Sequence, residues 1–158
     1  MSKVGTFILT FMGYASLAAL RGGWSYSKSQ LNTDQQVSLT YLGIVDFLYL
    51  ICYSLGMIVL GSYIHKISLK LYVVVGLLLS SLNYMLFAFV YSLTSYFSSF
   101  LMTVFMCLTG FFHATGWPGN VTIMGHWFSK SKRAAIMGVW AINSNFGSIV
   151  ASYLCNIL

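Results

Sequence analysis

LYVVVGLLLSSLNYMLFAFVY, residues 71–91, carries no charged side chain over 21 positions. As an α-helix rising 1.5 Å per residue it would be about 31 Å long, and the hydrocarbon core of a bilayer is about 30 Å thick. Its apolar residues run continuously instead of alternating, which excludes a strand of a membrane barrel. Working outward, four more runs share this character. One begins near Val4, stays apolar to Leu20 and remains amphipathic to about residue 30. The others cover about 41–64, 96–118 and 134–158. The expected fold is all-α, a polytopic membrane helix bundle of about five transmembrane helices, with no soluble domain and no low-complexity segment.

Composition points the same way. Charged residues make up 6% of the chain, against about 25% in a soluble domain. The apolar set makes up 58% of 158 residues, more than a water-soluble core of that size can hide. The only carboxylates are Asp34 and Asp46, so a hydrolytic carboxylate pair or a hard-metal site has little to work with. No Ser-His pairing, H-E-x-x-H motif or metal cluster is written in the sequence, and neither an enzyme nor a cofactor is expected. Cys52, Cys107 and Cys155 are odd in number and lack C-x-x-C spacing, which reads as small packing residues and not a disulfide framework. The sequon Asn120-Val121-Thr122 lies beside a membrane run and reads as chance.

The net charge of +6 sits in short clusters between apolar runs. Nucleic acid would need a continuous basic face with interleaved aromatics, so it is not expected as a partner. The clusters instead set topology. If every run crosses, Lys3, Lys66, Lys70, Lys130, Lys132 and Arg133 share one side. Lys28 and the uncharged loop around Ser92 to Ser95 take the other. The positive-inside rule then puts the amino terminus in the cytoplasm. The first run follows one basic residue, Lys3, but is long for a signal peptide and does not open into a mature domain, so it is read as a retained helix. Five crossings leave the two termini on opposite sides, a parity that suggests a truncated chain.

Several polar residues interrupt this pattern, and in hydrocarbon an ionisable group is expensive enough to be a functional candidate. Tyr14, Arg21, Ser25 and Lys28 share one face if the first helix continues. Two readings of Arg21 stand: a bidentate grip on a phosphate or carboxylate, or a snorkelling side chain among lipid phosphates. Asp46, Tyr49 and Tyr53 form a polar stripe on the second run. Asp46 either caps a first turn in the headgroup zone, serves a water-filled cavity, or pairs with Arg21 or Lys28. Thr109, His113 and Gly116 share a face of the fourth run, where His113 reads first as a hydrogen-bonded packing residue. Ser144, Ser148 and Ser152, flanked by Gly147 and Ala151, read as a close-packing ladder, with Asn143 and Asn145 able to line a pathway.

The most specific signal is Gly116-Trp117-Pro118-Gly119, then Gly125-His126-Trp127-Phe128-Ser129-Lys130 with Arg133, then Gly138-Val139-Trp140. This pattern resembles the organophosphate:phosphate antiporters of the major facilitator superfamily across helix 4, the cytoplasmic loop and helix 5, with eukaryotic sugar-phosphate exchangers nearest. Leu42-Gly43, Asp46, Tyr53-Ser54, Gly56-Met57 and Gly61 are similar to their second helix, and Gly13-Tyr14-Ala15 with Arg21 to the first helix of bacterial members. The resemblance implies twelve helices in two halves, with this chain giving most of the amino-terminal half and a carboxyl-terminal half as its partner. It implies exchange of a small anion, a sugar phosphate or related organic anion, against phosphate by rocker-type alternating access. It also implies that Arg21 meets the substrate phosphate, and an endomembrane such as the endoplasmic reticulum ahead of the plasma membrane. The candidate substrate-binding residues are Arg21, Tyr14, Lys28, Asp46, Tyr53, His113 and Asn143. The chain departs from the family pattern at Gly22, where a Lys usually follows the Arg, at His113, where a Gln is usual, and at His65-Lys66, where an acidic-basic pair is usual. A transport-inactive paralogue acting through helix–helix contacts is the alternative function.

Overall fold

The computed structural model describes residues 2–35, 37–91 and 96–157. Among these the helices are α1 (Lys3–Gln35), α2 (Leu39–Gly61), α3 (Leu69–Tyr91), α4 (Tyr96–His113), α5 (Gly116–Trp127), α6 (Lys130–Trp140) and α7 (Asn143–Ile157). They make five spans long and apolar enough to cross a membrane: Lys3–Thr33, Leu39–Gly61, Leu69–Val90, Ser99–Trp127 and Lys130–Ile157. The loop at 92–95 lies outside the described residues.

Each of the last two spans is interrupted by a turn of two residues, and the sequence supplies the cause of each interruption. Pro118 has no N–H for the carbonyl of Ala114, and its ring crowds that carbonyl. The chain therefore tightens at Ala114 and Thr115, where the Thr115 N–H donates to the Phe112 carbonyl at 3.1 Å. The helix resumes at once, because Pro118 falls in the first turn of α5, where its missing donor is not needed. So the fourth span does not end at Pro118, as the sequence pattern suggests, but runs on to Trp127. The second interruption is at Ala141 and Ile142, between α6 and α7. There the Asn143 side-chain amide donates to the Trp140 carbonyl, inserting a side chain into the backbone ladder.

The chain forms two compact units, Met1–Gln36 with Gly119–Leu158, and Val37–Pro118. In the first, α1 and α7 run parallel. A Cβ on Gly147 would strike the carbonyl of Ala15, and one on Gly22 would meet the Ala151 Cβ at 3.0 Å. The seam therefore depends on small residues that let two backbones touch. Gly147 and Ala151 make this contact, whereas Ser148 and Ser152 donate to their own helix, to the carbonyls of Ser144 and Ser148 at 3.0 and 2.9 Å. At one end of the seam Trp140, fully buried, donates from Nε1 to Thr10 Oγ1 at 3.2 Å. Thr10 in turn donates to the Thr6 carbonyl at 2.9 Å. A buried indole N–H thus finds an acceptor, as it must in an apolar surround.

In the second unit α4 packs against both α2 and α3. Tyr41 Oη donates to the Ser99 carbonyl at 2.7 Å near the start of both helices, and Gly110 lies against the Tyr49 backbone further along, so α2 and α4 are parallel. Cys52 and Cys107, separated in sequence, bring their thiols together across this seam, both remaining free.

Each unit turns bulky apolar faces outward. On α2, Ile44, Phe47, Leu50, Leu55 and Ile58 are at least half exposed; on α3 so are Leu71, Leu78, Leu82, Met85 and Phe89. Burying one such side chain is worth about 1.5–3 kcal/mol, so ten half-exposed ones leave on the order of 10 kcal/mol unrealised in water, as much as a whole domain's stability. Lipid removes that deficit. The chain is an integral, multi-pass membrane protein.

Candidate functional site

The α1 stripe is built from residues seven apart. Tyr14, Arg21 and Lys28 drift only about 20° per heptad on an ideal helix, so they lie above one another. The stripe lies across the helix from exposed Ile8, Leu9 and Met12. Tyr14 is buried with its ring 5.5 Å from that of Trp140, tilted by 49°. Arg21 is half-buried, and its Nη1 is withdrawn from the surface. Lys28 is half-buried and holds Nζ 5.8 Å from the centre of the Trp24 ring, itself almost fully buried. A cation over an indole face keeps some of its hydration energy in a partly dry place. This face combines two basic side chains with a phenol.

The second unit contributes a separate polar cluster. Tyr49 Oη and His113 Nδ1 are 3.0 Å apart and buried. Tyr53 stacks on Tyr49 at 6.4 Å and meets the His113 ring edge-on at 6.0 Å. Asp46, one turn before Tyr49 on α2, is half-buried. The rings of α2 and α4 come this close because Gly110 presents no side chain to the Tyr49 backbone. Thr109, His113 and Gly116 share a buried face, as their spacing predicts. His113 is thus a hydrogen-bonded residue of a helix seam, with Tyr49 as its partner.

The structure places Tyr14, Arg21, Lys28 and Asn143 in the first unit and Asp46, Tyr53 and His113 in the second. Asn143 has no exposed surface; its amide holds the α6–α7 bend, and its Oδ1 accepts from Ser144 at 3.2 Å. Sequence reading did not select Tyr49, Thr10 or Trp140 as a set. Tyr49 stood in the visible stripe, but its pairing with His113 spans 64 positions, and nothing local announces it. Arg133 was read as a topology signal. In the structure its Nη2 also donates to the carbonyls of Gly125, at 2.6 Å, and Phe128, at 3.3 Å, capping the end of α5 from the next helix. Lys130 and Lys132 stand at the start of α6, where the helix dipole disfavours cations, so helix stability does not explain them.

Comparison with known proteins supplies the family. The model of the Major Facilitator Superfamily matches residues 5–158. A human glucose-6-phosphate exchanger, SLC37A2, is 36% identical over 116 residues, covering 73% of this chain and 23% of the relative. A putative glycerol-3-phosphate transporter 2 of Arabidopsis thaliana is 29% identical over 95% of this chain and 32% of the relative. The glycerol-3-phosphate transporter of Bacillus subtilis (strain 168) is 30% identical over 98% of this chain and 34% of the relative. The chain therefore spans about a quarter to a third of the length of these relatives. No solved structure matches it. With a match across nearly every residue, five apolar spans and no strand among the described residues, the chain belongs to the Major Facilitator Superfamily.

Proposed function

We propose that the natural protein containing this chain is a transporter that exchanges an organic phosphate, a sugar phosphate or glycerol phosphate, for inorganic phosphate by alternating access. The observation that carries this reading is Arg21, half-buried with its Nη1 withdrawn from the surface, on one helix face with Tyr14 and Lys28. Placing an arginine at the centre of a membrane helix costs about 2.5–3.5 kcal/mol or more. A phosphate dianion repays that cost, because the planar guanidinium offers paired donors and a dry surround strengthens each charge-assisted bond. Lys28 supplies a second charge and Tyr14 a neutral donor. The names of the relatives agree in the phosphate moiety and differ in the organic part, as expected if the conserved demand is for the anion.

Asp46, Tyr53 and His113 form a polar wall in their own unit that favours a hydroxylated substrate over a bare apolar one. Asn143 acts by setting the α6–α7 bend. The amino terminus faces the cytoplasm, the protein resides in an endomembrane, and the carboxyl-terminal half of the transporter completes it. The natural polypeptide, reconstituted in liposomes, tests the reading. Labelled phosphate should enter vesicles loaded with glucose 6-phosphate or glycerol 3-phosphate well above vesicles loaded with glucose or glycerol. Equal uptake into all four would contradict exchange.

A further inference from the structure

We propose that the groove formed by the end of α2, the start of α3 and the bend after α4 is a binding site for an anionic glycerophospholipid. The groove encloses about 300 Å³ and is walled by Leu60, Tyr63, Tyr72, Val75, Leu79 and Phe112. Its wall is apolar, and it lies alongside the outward stripe of α3, where Leu71, Leu78 and Leu82 are more than half exposed. The helix–helix seams of this protein use small residues, Gly22 on Ala151 and Gly56 on Ala114. Gly76 and Thr115 close against each other within the groove, but the rest of its wall and the stripe present large branched and aromatic side chains, a surface suited to acyl chains.

Charge selects the headgroup. Lys66 is exposed at the mouth with Nζ 5.0 Å from the centre of the Tyr63 ring, itself part of the wall. Lys70 is exposed beside Leu71, another wall residue. Asp46, the carboxylate on α2, is fifteen residues from Gly61, about 22 Å of helix, and does not neutralise them. Two lysines at the edge of a membrane span attract anionic headgroups strongly enough to matter.

Native mass spectrometry of the detergent-solubilised protein, offered equal phosphatidylserine and phosphatidylcholine, tests this without any transport readout. The wild-type protein should retain phosphatidylserine with about thirtyfold preference, given roughly 1 kcal/mol for each of the two lysines. Lys66→Ala with Lys70→Ala should erase the preference, whereas Lys130→Ala with Lys132→Ala should keep it. Val75→Trp, which fills the groove and leaves both lysines, should release the lipid while circular dichroism stays at the wild-type level. No headgroup preference in the unmodified protein overturns the proposal whatever the variants do. So does a preference that follows Lys130 and Lys132, or a dimer forming in place of bound lipid, which would assign the groove to a second copy.

Discussion

Tyr49 and His113 show how a single pair shapes a helix seam in an apolar medium. Each polar group would be expensive alone, and each makes the other tolerable. Tyr49→Phe removes one oxygen and leaves the stacked ring with Tyr53 in place. Thermal unfolding in detergent should then show a loss of about 0.5–1.5 kcal/mol. His113→Phe added to Tyr49→Phe should cost less than the two single losses summed, since both remove the same bond. Additive losses would mean that the 3.0 Å contact contributes nothing. The sequence displayed both residues and even their helix faces. It did not display their meeting, because which two membrane helices pair is decided by side-chain fit across many positions. Arg21 is similarly ambiguous: an arginine at the end of an apolar run suits a headgroup or a buried anion equally, and in the fold it is half-buried with Nη1 withdrawn from the surface.

At the scale of elements, the apolar runs are legible to within about four residues at every end but that of the fourth, because lipid imposes length and continuity on them directly. Residues 71–91 needed no more than that. The bends were harder. A proline usually marks an end, and the sequence pattern stops at Pro118. Its place in the first turn of a new helix was hidden, because Gly116 and Trp117 give no sign that the chain restarts before it. The α1–α7 seam is partly visible as small residues at fourfold spacing, and Gly147, Ala151 and the Ser148 backbone make the contact, while the serine hydroxyls bond within their own helix. This gives a paired prediction. Gly147→Ala drives a methyl into the Ala15 carbonyl and should destabilise the protein by about 1–3 kcal/mol. Gly138→Ala, where nothing lies within 4 Å, should be neutral or stabilising by up to about 1 kcal/mol through helix propensity. Melting curves of the two variants in the same detergent decide it; equal effects would deny that the seam is backbone-close.

For the whole molecule, the composition already named the solvent, and the outward faces of α2 and α3 agree with it. The charge distribution adds an orientation. A membrane-impermeant maleimide, applied in a background with Cys52, Cys107 and Cys155 changed to serine, should label Lys66→Cys and Ser129→Cys from the cytoplasmic side and Ser38→Cys from the other. Labelling of Ser38→Cys and Lys66→Cys from one side would break the five-span topology.

The central claim is that Arg21 receives the phosphate of the substrate, and phosphate exchange by the reconstituted natural protein carrying changes at that one position tests it most directly. Losing a bidentate, charge-assisted contact worth about 3 kcal/mol predicts that Arg21→Ala lowers kcat/KM for phosphate about 100-fold. Arg21→Lys, which keeps the charge and loses the fork, should fall between it and the wild type. Exchange undiminished in Arg21→Ala, with protein insertion unchanged, would contradict the account.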